Sequence, residues 1–201
     1  MEKTALYYEE HAQRYYETTK HINMSAQHKM LTHYLTPRAY ILDLGCGSGR
    51  DSLAFLQAGY KVRAVDGSKP LCQLASTHIK QPVYHQQFSE LKDVNEYDAI
   101  YACASLLHLP SNELAYIFKL CEQALKCDGY MYASFKHGTF EGYREERYFT
   151  DFTAETFELF IQKIPTLTLL ECVISEDSMN REASVKWLNV ILKKETKQDK
   201  R

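Results

Sequence analysis

The feature that most constrains this chain is Ala39-Tyr-Ile-Leu-Asp-Leu-Gly-Cys-Gly-Ser-Gly-Arg-Asp51, an apolar run that stops in three glycines on alternate positions. Tyr40, Ile41, Leu42 and Leu44 form a short continuous apolar set bounded by turn residues, as in a strand buried on both faces of a parallel sheet. Gly45, Gly47 and Gly49 open backbone angles closed to other residues and let a ligand approach the main chain. Beyond them Leu53, Ala54, Leu56 and Gln57 sit at helical spacing, and Gly59 stands where a C-terminal cap belongs. Strand, glycine turn and helix start together predict a nucleotide-type site in an α/β fold.

Which nucleotide follows from charge and spacing. A dinucleotide fingerprint, Gly-x-Gly-x-x-Gly, sets a pyrophosphate against the N–H groups of a helix start. Here the spacing is Gly-x-Gly-x-Gly, and Asp43 stands two residues before the first glycine. A fixed negative charge there opposes a pyrophosphate and suits a ligand carrying an ammonium group, as S-adenosylmethionine does. Tyr60-Lys-Val-Arg-Ala-Val-Asp66 reads as a second strand ending in an acid about twenty residues past the glycines, where a carboxylate accepts both ribose hydroxyls. If the glycines served only a tight turn, both acids would be left unexplained.

Four stretches in order resemble the successive motifs of the class I S-adenosylmethionine-dependent methyltransferases: Ile41-Leu-Asp-Leu-Gly-Cys-Gly-Ser-Gly49, Val65-Asp-Gly-Ser68, Tyr97-Asp-Ala-Ile-Tyr-Ala-Cys-Ala-Ser-Leu-Leu-His108 and Ala124-Leu-Lys-Cys-Asp-Gly-Tyr130. Within that superfamily the chain resembles the small bacterial group related to tellurite-resistance methyltransferases. The resemblance implies a three-layer Rossmann-like fold, with a seven-stranded, mostly parallel sheet and an antiparallel final strand. It implies S-adenosylmethionine as methyl donor and S-adenosylhomocysteine as product. Cofactor contacts then fall on Asp43, Gly45, Cys46, Gly47 and Gly49, on Asp66, Gly67 and Ser68, and on Gln87, Phe88, Ala102 and Cys103. In the family the N-terminal helix and the turn after it close over the methionine end, which adds Tyr15 and Met24. Relatives usually carry an acid where Gln86 and Gln87 stand; a glutamine carbonyl accepts the adenine amino hydrogen with less electrostatic help.

Length and composition narrow the rest. The 201 residues suit one α/β domain, expected over residues 1–195, with a helical cap at 1–35, a lid-like insertion at 137–152 and a charged tail at 196–201. A net charge of −2 provides no general attraction to nucleic acid or to an anionic membrane. No apolar run approaches about 18 residues and Met1-Glu-Lys-Thr begins no signal pattern, so a cytoplasmic protein is expected. The six cysteines contain no Cys-x-x-Cys pair, and the four that fall inside expected strands or helices read as small buried hydrophobes. The eight histidines lack a metal-ligand spacing, and no metal site is expected.

The remaining candidates come from position. Tyr7, His11 and Tyr15 share a helical face, and Ser25 can cap a second helix through about Leu35. Strands are expected at Pro82–Phe88, Tyr97–Ala104, Tyr130–Lys136, Leu167–Ile174 and Trp187–Lys193, and helices from Ser111 to Leu125 and from Ala154, capped by Thr153, to Lys163. His108 directly follows a central strand at the sheet's carboxyl edge, where ligands bind, and is the candidate catalytic base or orienter. The insertion mixes aromatics with both charges and reads either as a substrate lid or as a solvated loop whose charges pair with one another. Arg144 and Tyr148 are substrate candidates from it, and Arg181 from the loop between the last two strands. With Lys136 and Arg147 these form an anion-recognising wall, unless the neighbouring glutamates neutralise it. The expected activity is methyl transfer to an O, N, S or heavier chalcogen atom of a small molecule. The alternatives are a methyltransferase acting on RNA or protein, a non-catalytic cofactor-binding module, and a nicotinamide-dependent reductase, which Asp43 and the glycine spacing disfavour.

Overall fold

The computed structural model describes residues 2–179 and 185–195. Helices α1 (Glu2–Glu10), α2 (Ala12–Thr19) and α3 (Ser25–Thr32) precede β1 (Tyr40–Leu44). Then follow α4 (Arg50–Gln57), β2 (Lys61–Asp66), α5 (Lys69–Ile79), β3 (Val83–His85), β4 (Tyr97–Ala102), α6 (Ser111–Ala124) and β5 (Leu125–Lys136). The last part holds β6 (Glu141–Arg144), β7 (Arg147–Thr150), α7 (Ala154–Ile161), β8 (Leu167–Glu176) and β9 (Lys186–Lys194). Seven strands make one sheet in the order β3-β2-β1-β4-β5-β9-β8. The first five are parallel, and β9 is antiparallel to both of its neighbours. It follows that β8 is parallel to β5, as expected, and that the β8–β9 connection leaves on the carboxyl edge of the parallel strands.

The period-2 alternation of β1 explains the three layers. Leu42 and Leu44 pack into a core that includes Phe118, Leu125 and Phe157, while Ile41 packs on the other face with Leu31, Phe55, Tyr101 and Tyr132. A strand with apolar residues on both sides is stable only between two layers of cover, here α6 and α7 on one face and α3 and α4 on the other. Tyr101 and Tyr132 stack at 4.5 Å between ring centroids on the second face.

Several boundaries differ from the expectation for identifiable reasons. Ser25 is the first residue of α3 rather than its cap; its N–H donates to the Asn23 side chain at 2.9 Å, and the helix ends at Thr32. β3 holds three residues because Phe88–Glu90 turns into a short 3₁₀ segment closed by Gln87 and Glu90. β4 stops at Ala102, since Ala104 takes a left-handed φ of 50°. The insertion is a β-hairpin, not an irregular loop: β6 and β7 pair from Glu141↔Thr150 to Arg144↔Arg147 around a two-residue turn with Glu145 at φ 55°. Arg181 and the tail at 196–201 lie outside the described residues.

Behind the hairpin, Phe118, Phe135, Phe152, Phe157 and Phe160 make one aromatic cluster in which Phe157 has no exposed surface. Phe157→Ala is expected to destabilise the protein by about 3–5 kcal/mol in urea denaturation, since the cluster has no small residue able to refill the space. A change under about 1 kcal/mol would mean that α7 is not anchored through this ring.

Candidate active site

The site is built where the loops after β1, β2 and β4 meet at the carboxyl edge. The N–H groups of Gly45 and Cys46 both donate to the Val65 carbonyl, at 2.9 and 3.0 Å, which pins the glycine turn to the end of β2. The buried Asp66 carboxylate accepts from Gly47 N–H and from Ser68 N–H, each at 2.8 Å. Each of its oxygens keeps capacity for a further hydrogen bond. Burial raises the Asp66 pKa, and the two backbone donors act against that rise. A Cβ on Gly45 would lie 2.5 Å from Ser105 Cβ, and Gly45 also holds a φ of 80°, so no other residue fits there.

Asp43 occupies a different environment from the one its spacing suggests. It is 2% exposed, accepts from the Ser52 hydroxyl at 2.6 Å, and lines neither of the site's two cavities. Asp51, beside it, is held by His28 Nε2 at 2.7 Å and by Arg50 at 2.7 and 3.0 Å. Burial opposes ionisation of Asp51, but Arg50 and His28 outweigh it and hold its pKa at about 2. The Ser52 hydroxyl and the more distant charge of Arg50 stabilise the Asp43 carboxylate less than burial and the Asp51 carboxylate oppose it, and its pKa is pushed up to about 8.

Two adjoining cavities open beside this frame. Gly45, Gly47, Asp66, Gly67, Ser68, Gln87 and Phe88 line the first; Met24, Arg50, Cys103, Lys136, Arg147, Phe149 and Asp177 are among those lining the second. Tyr8, Tyr15, Ala104 and His108 border both. Of the sequence candidates, Cys46, Gly49 and Ala102 do not line either cavity; Gly49 forms the left-handed start of α4, and Cys46 and Ala102 are core. Arg144 donates to Asp151, with Nη1 to Oδ1 at 2.9 Å, and lies over the Phe140 ring at 4.1 Å. The Tyr148 hydroxyl donates to Glu141 at 3.0 Å on the exposed side of the hairpin. Neither Arg144 nor Tyr148 borders a cavity, so the insertion presents Arg147 and Phe149 there instead.

His108 is fixed by both ring nitrogens. Nδ1 lies 2.7 Å from the Tyr148 carbonyl, which can only accept, so Nδ1 carries the proton. Nε2 therefore accepts, and the Tyr8 hydroxyl donates to it at 2.7 Å. Burial lowers the His108 pKa to about 4, keeping the ring neutral. Tyr8 was absent from the sequence candidates; its signal was a seven-residue spacing to Tyr15, which brings the two rings edge to face at 5.2 Å. Among the described residues no cluster of three or more His, Cys, Asp or Glu side chains is placed to hold a metal. No helix among them is long and apolar enough to cross a membrane.

Sheet order, the antiparallel strand next to the edge and a glycine turn facing an acid at the end of β2 define a Rossmann-like methyltransferase fold. Residues 41–129 match the family model described as a methyltransferase domain. Over its length the chain is similar to a Burkholderia thailandensis 1,6-didemethyltoxoflavin-N1-methyltransferase (TM-score 0.77, 21% identity, 95% of this chain and 85% of that one). It is 31% identical over 110 residues to a Coxiella burnetii ubiquinone biosynthesis O-methyltransferase (52% of this chain, 46% of the relative). It is 26% identical over 141 residues to YqeM of Bacillus subtilis, named as a methyltransferase (64% of this chain, 57% of the relative). The chain thus spans about half the length of the curated relatives it matches.

The Asp43 environment gives a pH signature. Its folded pKa, about 8, is above its ordinary value of 3.8, so its contribution to stability is full below the ordinary value and is lost as pH rises through the folded one. Asp43→Asn, which still accepts from Ser52, is expected to raise the thermal midpoint relative to the parent at pH 8.5, by roughly 2–4 °C for each kcal/mol recovered, with most of the gap gone by pH 5 and the remainder closing below the ordinary value of 3.8. Equal midpoints at both pH values would show that Asp43 ionises as easily in the fold as outside it.

Proposed function

We propose that this protein transfers a methyl group from S-adenosylmethionine to a small-molecule nucleophile. The observation that carries the reading is the pair of cavities that meet at Tyr8, Tyr15, Ala104 and His108, one built on the glycine turn and the other on the hairpin. The first fits the cofactor's nucleoside. Asp66 has spare acceptor capacity for the two ribose hydroxyls, and Gln87 and Phe88 offer an amide and a ring for the adenine. Arg50, Met24 and Gln27 border the second cavity near Tyr15 and suit the amino-acid end. Asp43, turned to Ser52, acts on that end only through the backbone it holds.

The cofactor supplies a methyl group already activated on a sulfonium. What the protein must add is alignment and exclusion of water. Tyr8 and Tyr15 from the N-terminal helices, Arg147 and Phe149 from the hairpin, and Ser178 and Met179 after β8 border the second cavity on three sides. That enclosure supports a small acceptor over an RNA or a protein. The Burkholderia enzyme, whose structure holds S-adenosylhomocysteine and 1,6-didemethyltoxoflavin, supports the same reading by analogy of fold. On the motifs alone we also propose kinship with the tellurite-resistance-type group; that kinship does not carry the acceptor's identity.

Calorimetry tests the cofactor. S-adenosylmethionine and S-adenosylhomocysteine are expected to bind at micromolar concentration and NAD not to bind. Asp66→Ala is expected to weaken S-adenosylhomocysteine binding about 10- to 100-fold, as loss of hydrogen bonds to a charged acceptor does. Binding of NAD in preference to S-adenosylmethionine would overturn the proposal.

A further inference from the structure

Resting on that reading, we propose that Tyr8 and His108 form a two-step proton path and that the acceptor is a small molecule bearing an acidic hydroxyl, a phenol or enol, whose attacking oxygen docks on the Tyr8 hydroxyl. The hydrogen-bond directions carry the argument. Because the Tyr148 carbonyl fixes the proton on His108 Nδ1, the only lone pair of the imidazole, at Nε2, is occupied by the Tyr8 proton. A substrate therefore cannot reach the imidazole as a base without displacing Tyr8. Tyr8 and His108 both border the two cavities, and of the two it is Tyr8 whose hydroxyl is left with acceptor capacity there. A phenolic oxygen has two lone pairs. The Arg147 guanidinium acts on the Tyr8 hydroxyl through its charge, and the Tyr8 oxygen keeps acceptor capacity for an incoming O–H.

The step balances without a further reagent. As the acceptor oxygen bonds the methyl carbon, the carbon–sulfur bond breaks and its electron pair stays on sulfur. The proton of Tyr8 passes to His108 Nε2, and the acceptor's proton then replaces it on Tyr8 Oη. The product is an imidazolium whose Nδ1–H remains on the Tyr148 carbonyl. Arg147, laid over the Tyr7 ring at 4.6 Å and the Phe149 ring at 5.4 Å, is placed to stabilise the negative charge that builds on Tyr8 between the two transfers.

The class of acceptor follows first from the geometry: a path that runs through a hydroxyl to imidazole Nε2 takes up one proton, so it serves a nucleophile that must lose a proton as it is methylated. An imidazole that burial holds to a pKa of about 4 does not strip a proton in advance. It takes one that becomes strongly acidic during attack, as the proton of an alkylated hydroxyl does. A methylated amine holds its proton far more tightly than such an imidazole, and a thiolate or telluride has none to give. The rings of Tyr8, Tyr15 and Phe149 also suit a planar acceptor.

The test uses catechol, phenol and 2-naphthol, all un-ionised at neutral pH, as hydroxyl probes, thiophenol and benzylamine as controls, and methyl-labelled S-adenosylmethionine. Label is expected on the hydroxyl probes in preference to the controls. Tyr8→Phe and His108→Gln, the latter still able to accept from Tyr8 but not to keep its proton, should each lower kcat on the hydroxyl probes about 100-fold or more. Calorimetric affinity for S-adenosylhomocysteine should change less than about threefold in both variants, since neither removes a hydrogen bond to the proposed cofactor. KM for the probe should hold within the same range in His108→Gln but rise in Tyr8→Phe, which loses the docking hydroxyl. Transfer to thiophenol or benzylamine but not to the hydroxyl probes, no transfer in a protein that binds S-adenosylhomocysteine, or undiminished kcat in Tyr8→Phe would each overturn the path and leave the cofactor reading standing. If the parent protein failed to bind S-adenosylhomocysteine, the cofactor reading would fall, and the path with it.

Discussion

The Asp66 carboxylate is the contact on which the site depends. Burying a carboxylate is unfavourable unless hydrogen bonds replace its water, and here the replacements are Gly47 N–H and Ser68 N–H. Those donors belong to different loops, so one side chain sets the distance between the β1–α4 turn and the β2–α5 turn. Ser105 brings in a third loop, with its hydroxyl donating to the Leu44 carbonyl at 2.7 Å while its Cβ fills the space a side chain on Gly45 would need. A glycine turn that must also admit a ligand cannot stiffen itself. It is held from outside, by β2 on one side and by the β4–α6 loop on the other.

A second junction lies at the backbone of Tyr148. Its N–H donates to the Thr4 hydroxyl of α1 at 3.0 Å, and its carbonyl takes the His108 proton at 2.7 Å. The Ser68 hydroxyl in turn donates to the Tyr8 carbonyl at 3.3 Å. Through these bonds the N-terminal helix is tied at one end to the hairpin and at the other to the loop that Asp66 organises. The tautomer of His108 is thus decided by the position of a hairpin strand, and the position of that strand is linked to the helix that carries Tyr8.

This division explains how much was legible in the sequence. β1, the glycine turn, α4 and the strand ending at Asp66 were readable because period, turn residues and spacing are local properties. The seven-stranded, mostly parallel sheet with an antiparallel final strand followed from the motif resemblance, while the order of its strands became visible only in the structure. What stayed hidden was partner choice. Asp43 and Asp66 look equivalent in the sequence, yet one meets two backbone donors and the other a hydroxyl and a second acid. Arg144 and Arg147 sit on the same insertion, and the hairpin register sets them directly opposite each other, an arrangement that is unfavourable unless each finds its own partner. Asp151 takes Arg144 and the tyrosines of α1 take Arg147. The hairpin itself was masked by its turn, Glu145-Glu146, which lacks the Asn-Gly or Asp-Gly signature of a two-residue connection.

The proposed chemistry also accounts for a base as weak as His108 beside two cationic side chains. Before transfer the site would hold a sulfonium, and Lys136 and Arg147 both lower the tendency of the imidazole to accept a proton, on top of the larger effect of burial. Transfer converts the sulfonium to a neutral thioether and removes one positive charge at the junction of the two cavities. A proton arriving on His108 restores it. The surroundings therefore see a positive charge displaced a short way rather than created, and protein dipoles arranged for the sulfonium need little rearrangement to accept the imidazolium. Protonation before attack is opposed by the sulfonium, and protonation after attack is not. On this reading the low basicity of His108 orders the two events, with the methyl group moving first and the proton following through Tyr8.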